Sequence, residues 1–123
     1  MSTKPVILVV DDDLSTVEAL SSLLEDEGYE VLRAFNGKIA LNQLRNPPRP
    51  NAIILDLMMP VMDGWEFRRR QQQMADAASI PVIVVSALRQ IKPFEGAAAV
   101  LTKPLDIDAL LGVMSQICNF SPS

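Results

Sequence analysis

Four apolar residues in a row, Ala52-Ile53-Ile54-Leu55, end on a single carboxylate, Asp56, and the chain then breaks into a loop marked by Pro60 and Asp63-Gly64. A strand with one face in water alternates apolar and polar side chains. This run has no polar residue at either parity, so it reads as a strand buried on both faces of a parallel sheet. A carboxylate costs free energy to desolvate, which puts Asp56 at the strand's end rather than in its middle. Ligands of open α/β sheets bind at the carboxyl ends of the strands, so Asp56 is a candidate site residue.

The rest of the chain repeats the pattern. Residues 5–10 (PVILVV) form a first strand-like run that ends in Asp11-Asp12-Asp13. A helix follows, with Ser15 to Glu18 at the spacing of a capping box and Asp13 as a second capping residue type. Leu14, Val17, Leu20, Leu23 and Leu24 recur at helical spacing, and Gly28 closes the helix. Residues 29–35 read as a more amphipathic strand, Asn36-Gly37 as a turn, and residues 39–45 as a short helix. The Pro-rich segment 46–50 is a stiff connector. After the Asp56 strand, residues 65–74 predict a helix whose run Arg68 to Gln73 reads as a solvated face. Residues 80–85 form a fourth strand ending at Ser86-Ala87, and residues 97–102 a fifth, leading into Lys103-Pro104. Asp106 can cap a last helix with Ile107, Leu110, Leu111, Met114, Ile117 and Cys118 on its apolar side. Five strands alternating with helices imply one α/β domain over residues 1–123, with a core over about 5–118.

Composition narrows the chemistry. No histidine is present, which excludes a Ser-His-Asp triad, His-ligated zinc and a His general base. The net charge of −4 argues against direct nucleic-acid binding. No apolar run approaches the ~18 residues of a transmembrane helix, the N-terminus does not read as a signal peptide, and the lone Cys118 fits a reducing cytoplasm.

If the strands are parallel, their ends share one edge of the sheet. That edge then carries Asp11 and Asp12, Asp56, Ser86 and Lys103. Taken singly, each has an ordinary explanation as a cap or a solvated turn residue. Taken together they form a hard-oxygen set suited to Mg²⁺, with a lysine and a hydroxyl close by. Neighbouring carboxylates resist joint ionisation unless a cation joins them. Such a set suits phosphoryl transfer onto a carboxylate, a reaction governed by positioning and charge neutralisation.

Four motifs, ILVVDDD at 7–13, ILDLMMPVMDG at 54–64, VVSA at 84–87 and LTKP at 101–104, resemble the receiver domain of two-component response regulators. The resemblance covers residues 6–117 and implies a flavodoxin-like (βα)₅ sheet in the order 2-1-3-4-5, helices on both faces and the site at the switch point between strands one and three. It implies that Asp56 accepts a phosphoryl group from a phosphohistidine on a histidine kinase or histidine phosphotransfer protein. Asp12, Asp56 and the Met58 backbone carbonyl would bind Mg²⁺ (Mn²⁺ or Ca²⁺ substituting), with Asp11 holding a metal-bound water. Lys103 and Ser86 would bind the phosphoryl oxygens. The downstream partner is an unnamed protein, with room for a homodimer and no membrane contact.

Two places depart from the family pattern. Val100 stands where an aromatic residue is usual, and the Ser86 to Lys103 interval predicts a short or irregular fourth helix within residues 88–96. These departures motivate an alternative, a receiver-like binding module that works without phosphorylation. An Asp-nucleophile phosphatase would need a second Asp where Met58 stands, so no turnover enzyme is expected. Apolar Met58 and Leu88 predict slow autodephosphorylation.

Overall fold

The computed structural model describes residues 4–59, 61–87 and 96–118. Five strands form one sheet: β1 (Val6–Val10), β2 (Glu30–Ala34), β3 (Ala52–Asp56), β4 (Val82–Ser86) and β5 (Ala99–Thr102). Every pairing is parallel and the order is β2-β1-β3-β4-β5, as the alternation of elements implied. Four helices lie among the described residues: α1 (Leu14–Asp26), α2 (Gly37–Arg45), α3 (Gly64–Gln72) and α4 (Ile107–Cys118). The fourth-helix expectation falls on residues 88–96, of which all but Gly96 lie outside the described residues.

The uninterrupted apolar strands follow from helices on both faces. Leu8, Val10, Ile53, Leu55, Val82 and Val84 point to one face and pack with Ala40, Leu41 and Leu44 of α2 and Phe67 of α3. The alternate residues Ile7, Val9, Ala52, Ile54, Ile83 and Val85 point to the other, against Val17, Leu20 and Leu24 of α1 and Leu110 and Met114 of α4. Period-2 alternation thus persists, but both faces are dry. Each fully buried Leu, Ile or Val contributes about 1.5–3 kcal/mol relative to exposure, so the central strands β1, β3 and β4 carry most of the apolar stabilisation. The edge strands β2 and β5 retain exposed positions.

Helix ends show where local chemistry overrode the simplest reading. The N-cap of α1 is Asp13, not Ser15: its carboxylate accepts from the Ser15 N–H at 3.1 Å and the Thr16 hydroxyl at 2.9 Å. With the helix already begun at Leu14, Ser15 lies inside the first turn and has no cap to make. At the other end Gly28 has φ 96°, the Gly28 N–H donates to the Glu25 carbonyl and the Tyr29 N–H to the Leu24 carbonyl, both at 3.0 Å. That pair of bonds is a Schellman motif, and it turns the chain so that Tyr29 packs with Leu24 before β2 begins. Asp106 caps α4 through the Ala109 N–H at 3.3 Å, as expected.

The Arg68 to Gln73 run is not uniformly solvated. Arg69, Arg70, Gln72 and Gln73 are exposed, but Gln71 is fully buried and Arg68 half-buried. Helical spacing puts Gln71 one turn after Phe67, on the inward face. The Gln71 amide donates to the carbonyls of Ala77 (2.9 Å) and Ile80 (3.1 Å) and accepts from Arg68 (2.8 Å), so the polar group is satisfied where it is buried. Cys118 is half-buried against the α1/α4 side of the core, and burial raises its thiol pKa.

Candidate functional site

The carboxyl ends of β1 and β3 are adjacent because the sheet order reverses there. Register pairs Val10 with Leu55, so the next residues, Asp11 and Asp56, emerge side by side. Both are buried, at 4% and 5% exposure, whereas Asp12 is exposed. One carboxylate oxygen from each of Asp11, Asp12 and Asp56 lies within 4.8 Å of the other two. The Asp13 N–H donates to Asp11 Oδ1 at 2.9 Å and the Met58 N–H to Asp56 Oδ1 at 3.2 Å, so the backbone after each strand orients its acid.

Lys103 arrives from the other side. Ser86 ends β4, fully buried, and pairs in register with Thr102; the Lys103 N–H then donates to the Ser86 carbonyl at 2.9 Å. The Lys103 ammonium reaches Asp11 Oδ2 at 3.2 Å and Asp56 Oδ2 at 3.7 Å. Among the described residues one ammonium therefore meets the cluster of three carboxylates, which leaves those residues short of positive charge. Burial holds the Asp56 pKa above the ordinary carboxylate value. The charges of Asp11 and Asp12 push the same way, against the Met58 N–H and Lys103. Partial burial alone would lower the Lys103 pKa, but the hydrogen bond and charge of Asp11, joined by Asp56, outweigh it and the net direction is upward.

The loop after Asp56 is pinned at its neck. The Gly64 N–H donates to the Leu57 carbonyl at 3.0 Å, and a Cβ at Gly64 would stand 2.6 Å from Leu57 Cδ2 and 2.8 Å from Leu57 Cα, so only glycine fits there. Asp63 caps α3 through the Glu66 N–H at 2.9 Å. Between these anchors Val61 has φ 71° and is 89% exposed. For a β-branched residue that conformation costs on the order of 1–3 kcal/mol.

All five strand-end residues singled out in the sequence, Asp11, Asp12, Asp56, Ser86 and Lys103, fall on this one edge; side-chain pairs or proximity within 4.8 Å join four of them, and a backbone bond to Lys103 ties in Ser86. Met58 takes part through its N–H, while the residue is 56% exposed. Val100 is half exposed on the edge strand β5. Sequence reasoning missed the strained Val61, for which the only signal was its place between Pro60 and Asp63-Gly64. It also missed Gln71, which the polar run concealed.

The sequence matches the response regulator receiver domain over residues 7–115. The chain belongs to that family. Protein PilH of Pseudomonas aeruginosa is 32% identical, over 90% of this receiver and 95% of PilH. The DNA-binding dual master transcriptional regulator RpaA of Synechocystis is 38% identical over 87% of the chain, which spans only 46% of that longer protein. The crystal structure of the chemotaxis response regulator CheY4 of Vibrio cholerae superposes with a TM-score of 0.84 at 30% identity, covering 94% of this receiver and 99% of that chain. Receivers are signalling modules of two-component systems rather than turnover enzymes, and family membership implies interaction with histidine kinases or phosphotransfer proteins. Among the described residues no helix is long and apolar enough to cross a membrane.

Proposed function

We propose that this receiver, read as one domain with a core over about residues 5–118, takes a phosphoryl group onto Asp56 from a phosphohistidine of a partner kinase or phosphotransfer protein. The observation that carries the reading is the charge balance of the cluster: three carboxylates within 4.8 Å of one another, one of them strand-end Asp56, with Lys103 the one ammonium that meets them among the described residues. Such a cluster calls for a cation. Asp11, Asp12 and Asp56 with the Met58 carbonyl are an all-oxygen donor set that fits Mg²⁺, and the bound ion would neutralise charge on the transferring phosphoryl group.

The chain's own groups supply the rest. An Asp56 oxygen attacks phosphorus as the P–N bond to the donor imidazole breaks, so the nitrogen leaves with the electron pair and the phosphoryl becomes an acyl phosphate. Lys103 is held by Asp11 on the edge where the new negative charge accumulates and remains protonated there. Ser86, at the end of β4, would donate its hydroxyl to a phosphoryl oxygen. An open, mostly apolar groove of about 350 Å³ beside Lys103, between α1 and residues 104–107, supports a protein rather than a free small molecule as the natural donor. Met58 is apolar and cannot orient an attacking water, so autodephosphorylation is slow; Leu88, the other residue behind that expectation, lies outside the described residues.

Incubation with phosphoramidate and Mg²⁺ tests the reading. Intact mass should rise by one phosphoryl group, and chelation of the metal should prevent it. An unchanged mass in the native chain would refute the proposal.

A further inference from the structure

The three large apolar side chains that are more than half exposed among the described residues are Leu14 (55%), Met58 (56%) and Val61 (89%). All three follow the two strand ends that carry the carboxylates: Leu14 after Asp11 to Asp13, Met58 and Val61 after Asp56. Exposed apolar side chains in the segments that follow the carboxylates contribute nothing to holding a metal or a small phosphate. They do contribute to binding a polypeptide, because only a partner with its own apolar side chains can take that surface out of water.

Val61 is the extreme case. Its backbone sits in the left-handed region, which β-branched residues avoid because the side chain crowds the following peptide. With 89% of the residue exposed, packing within the chain does not offset the strain. The conformation is imposed from both sides, by the tight Leu57–Gly64 neck and by Met62, whose Sδ would lie 2.9 Å from a Cβ at Gly37 of α2. Glycine or asparagine would satisfy the same backbone with less strain. A valine there is a poor choice for the fold alone and a sound one for contact with something outside it.

We infer that Val61 is a specificity-determining contact for the protein phosphodonor: the strained loop that follows Asp56 holds an exposed apolar side chain, which packs on an apolar residue of the protein that presents the phosphohistidine. This rests on Asp56 being the phosphoacceptor. Asp56 is only 7% exposed at its side chain, so a protein delivering a phosphoryl group must approach closely, and the loop that begins at the residue after Asp56 is part of what it meets.

The test compares two donors on Val61→Gly, Val61→Asn and Val61→Ile. One donor is phosphoramidate, which carries the P–N bond without a protein. The other is a phosphorylated histidine kinase core, selected from a panel as the one that transfers fastest to the native chain. Gly and Asn should melt no lower than the native chain and react normally with phosphoramidate. Transfer from the kinase should fall about tenfold, the order expected for one lost apolar contact. Ile, which keeps the apolar side chain, should transfer normally from both. Native-like kinase transfer by the Gly and Asn variants would overturn the inference, as would equal slowing with both donors, which would put Val61 in the chemistry. Failure of the native chain to react with phosphoramidate would instead overturn the reading of Asp56.

Discussion

Asp56→Asn should make the metal-free receiver more stable, and it should cost the chain most of its response to Mg²⁺. In the native chain Asp56 meets repulsion from Asp11 of at least about 3.5 kcal/mol, since carboxylate oxygens of the two lie within 4.8 Å of each other, at an effective dielectric constant of about 20. Attraction to Lys103 at 3.7 Å is about 4.5 kcal/mol on the same basis, and exposed Asp12 adds about 1 kcal/mol of water-screened repulsion. The charge terms nearly cancel, which leaves the cost of burying an ionised carboxylate to set the sign. The raised Asp56 pKa, with burial as its main cause, points the same way. Asparagine keeps the acceptor for the Met58 N–H, and Lys103 keeps Asp11 at 3.2 Å. The expected gain is on the order of 2 kcal/mol, or roughly 6–10 °C in Tm for a domain of this size. Mg²⁺ at a hundred times its dissociation constant should then stabilise the native chain by about 2.7 kcal/mol and the variant by less than half of that. Thermal melts in EDTA and in Mg²⁺ read both effects. Because the folded-state pKa of Asp56 is raised, the folded state binds its proton more tightly than the unfolded chain does. The EDTA advantage should therefore vanish below the unfolded carboxylate value near pH 4, open as pH rises, and be complete above the folded-state value. A variant less stable than native in EDTA at neutral pH, or one with an undiminished Mg²⁺ response, would refute the reasoning.

Two further substitutions test the supports of the site. Lys103→Met removes the ammonium that pairs with Asp11 and Asp56, so the metal-free chain should lose about 2–4 kcal/mol in urea unfolding, and Mg²⁺ should recover more stability than it adds to the native chain. Gln71→Ala leaves the Ala77 and Ile80 carbonyls without their donor and opens space under α3; a loss of about 2–4 kcal/mol by urea unfolding, with unchanged reaction with phosphoramidate, would mark it as a residue of the fold rather than the site.

How far the sequence reached depends on the scale of the interaction. The buried parallel sheet was legible because three of its strands, β1, β3 and β4, are uninterrupted apolar runs of four or five residues, and only helices on both faces account for that. The site was legible because parallel strands bring their ends to one edge, so Asp11, Asp12, Asp56, Ser86 and Lys103 could be grouped before any distance was known. Boundaries were less legible. The second strand was expected from Tyr29 and begins at Glu30, since Tyr29 is taken up by the Schellman turn. The fifth was expected from Ala97 and begins at Ala99, where pairing with Ile83 starts. Gln71 was hidden because burial of an amide depends on carbonyls six and nine residues away, which no local pattern announces. The strain at Val61 was hidden because it arises from anchors on both sides of the loop rather than from the residue itself.

The central claim is that Asp56 is the phosphoacceptor, and the most direct measurement locates the phosphoryl group. Native receiver reacted with phosphoramidate and Mg²⁺ would be treated with borohydride, which reduces an acyl phosphate to an alcohol, and digested for peptide mass spectrometry. The account predicts reduction at residue 56 alone, and none in Asp56→Asn. Modification at Asp11, Asp12 or Ser86 in the native chain, or an adduct that persists in Asp56→Asn, would contradict it.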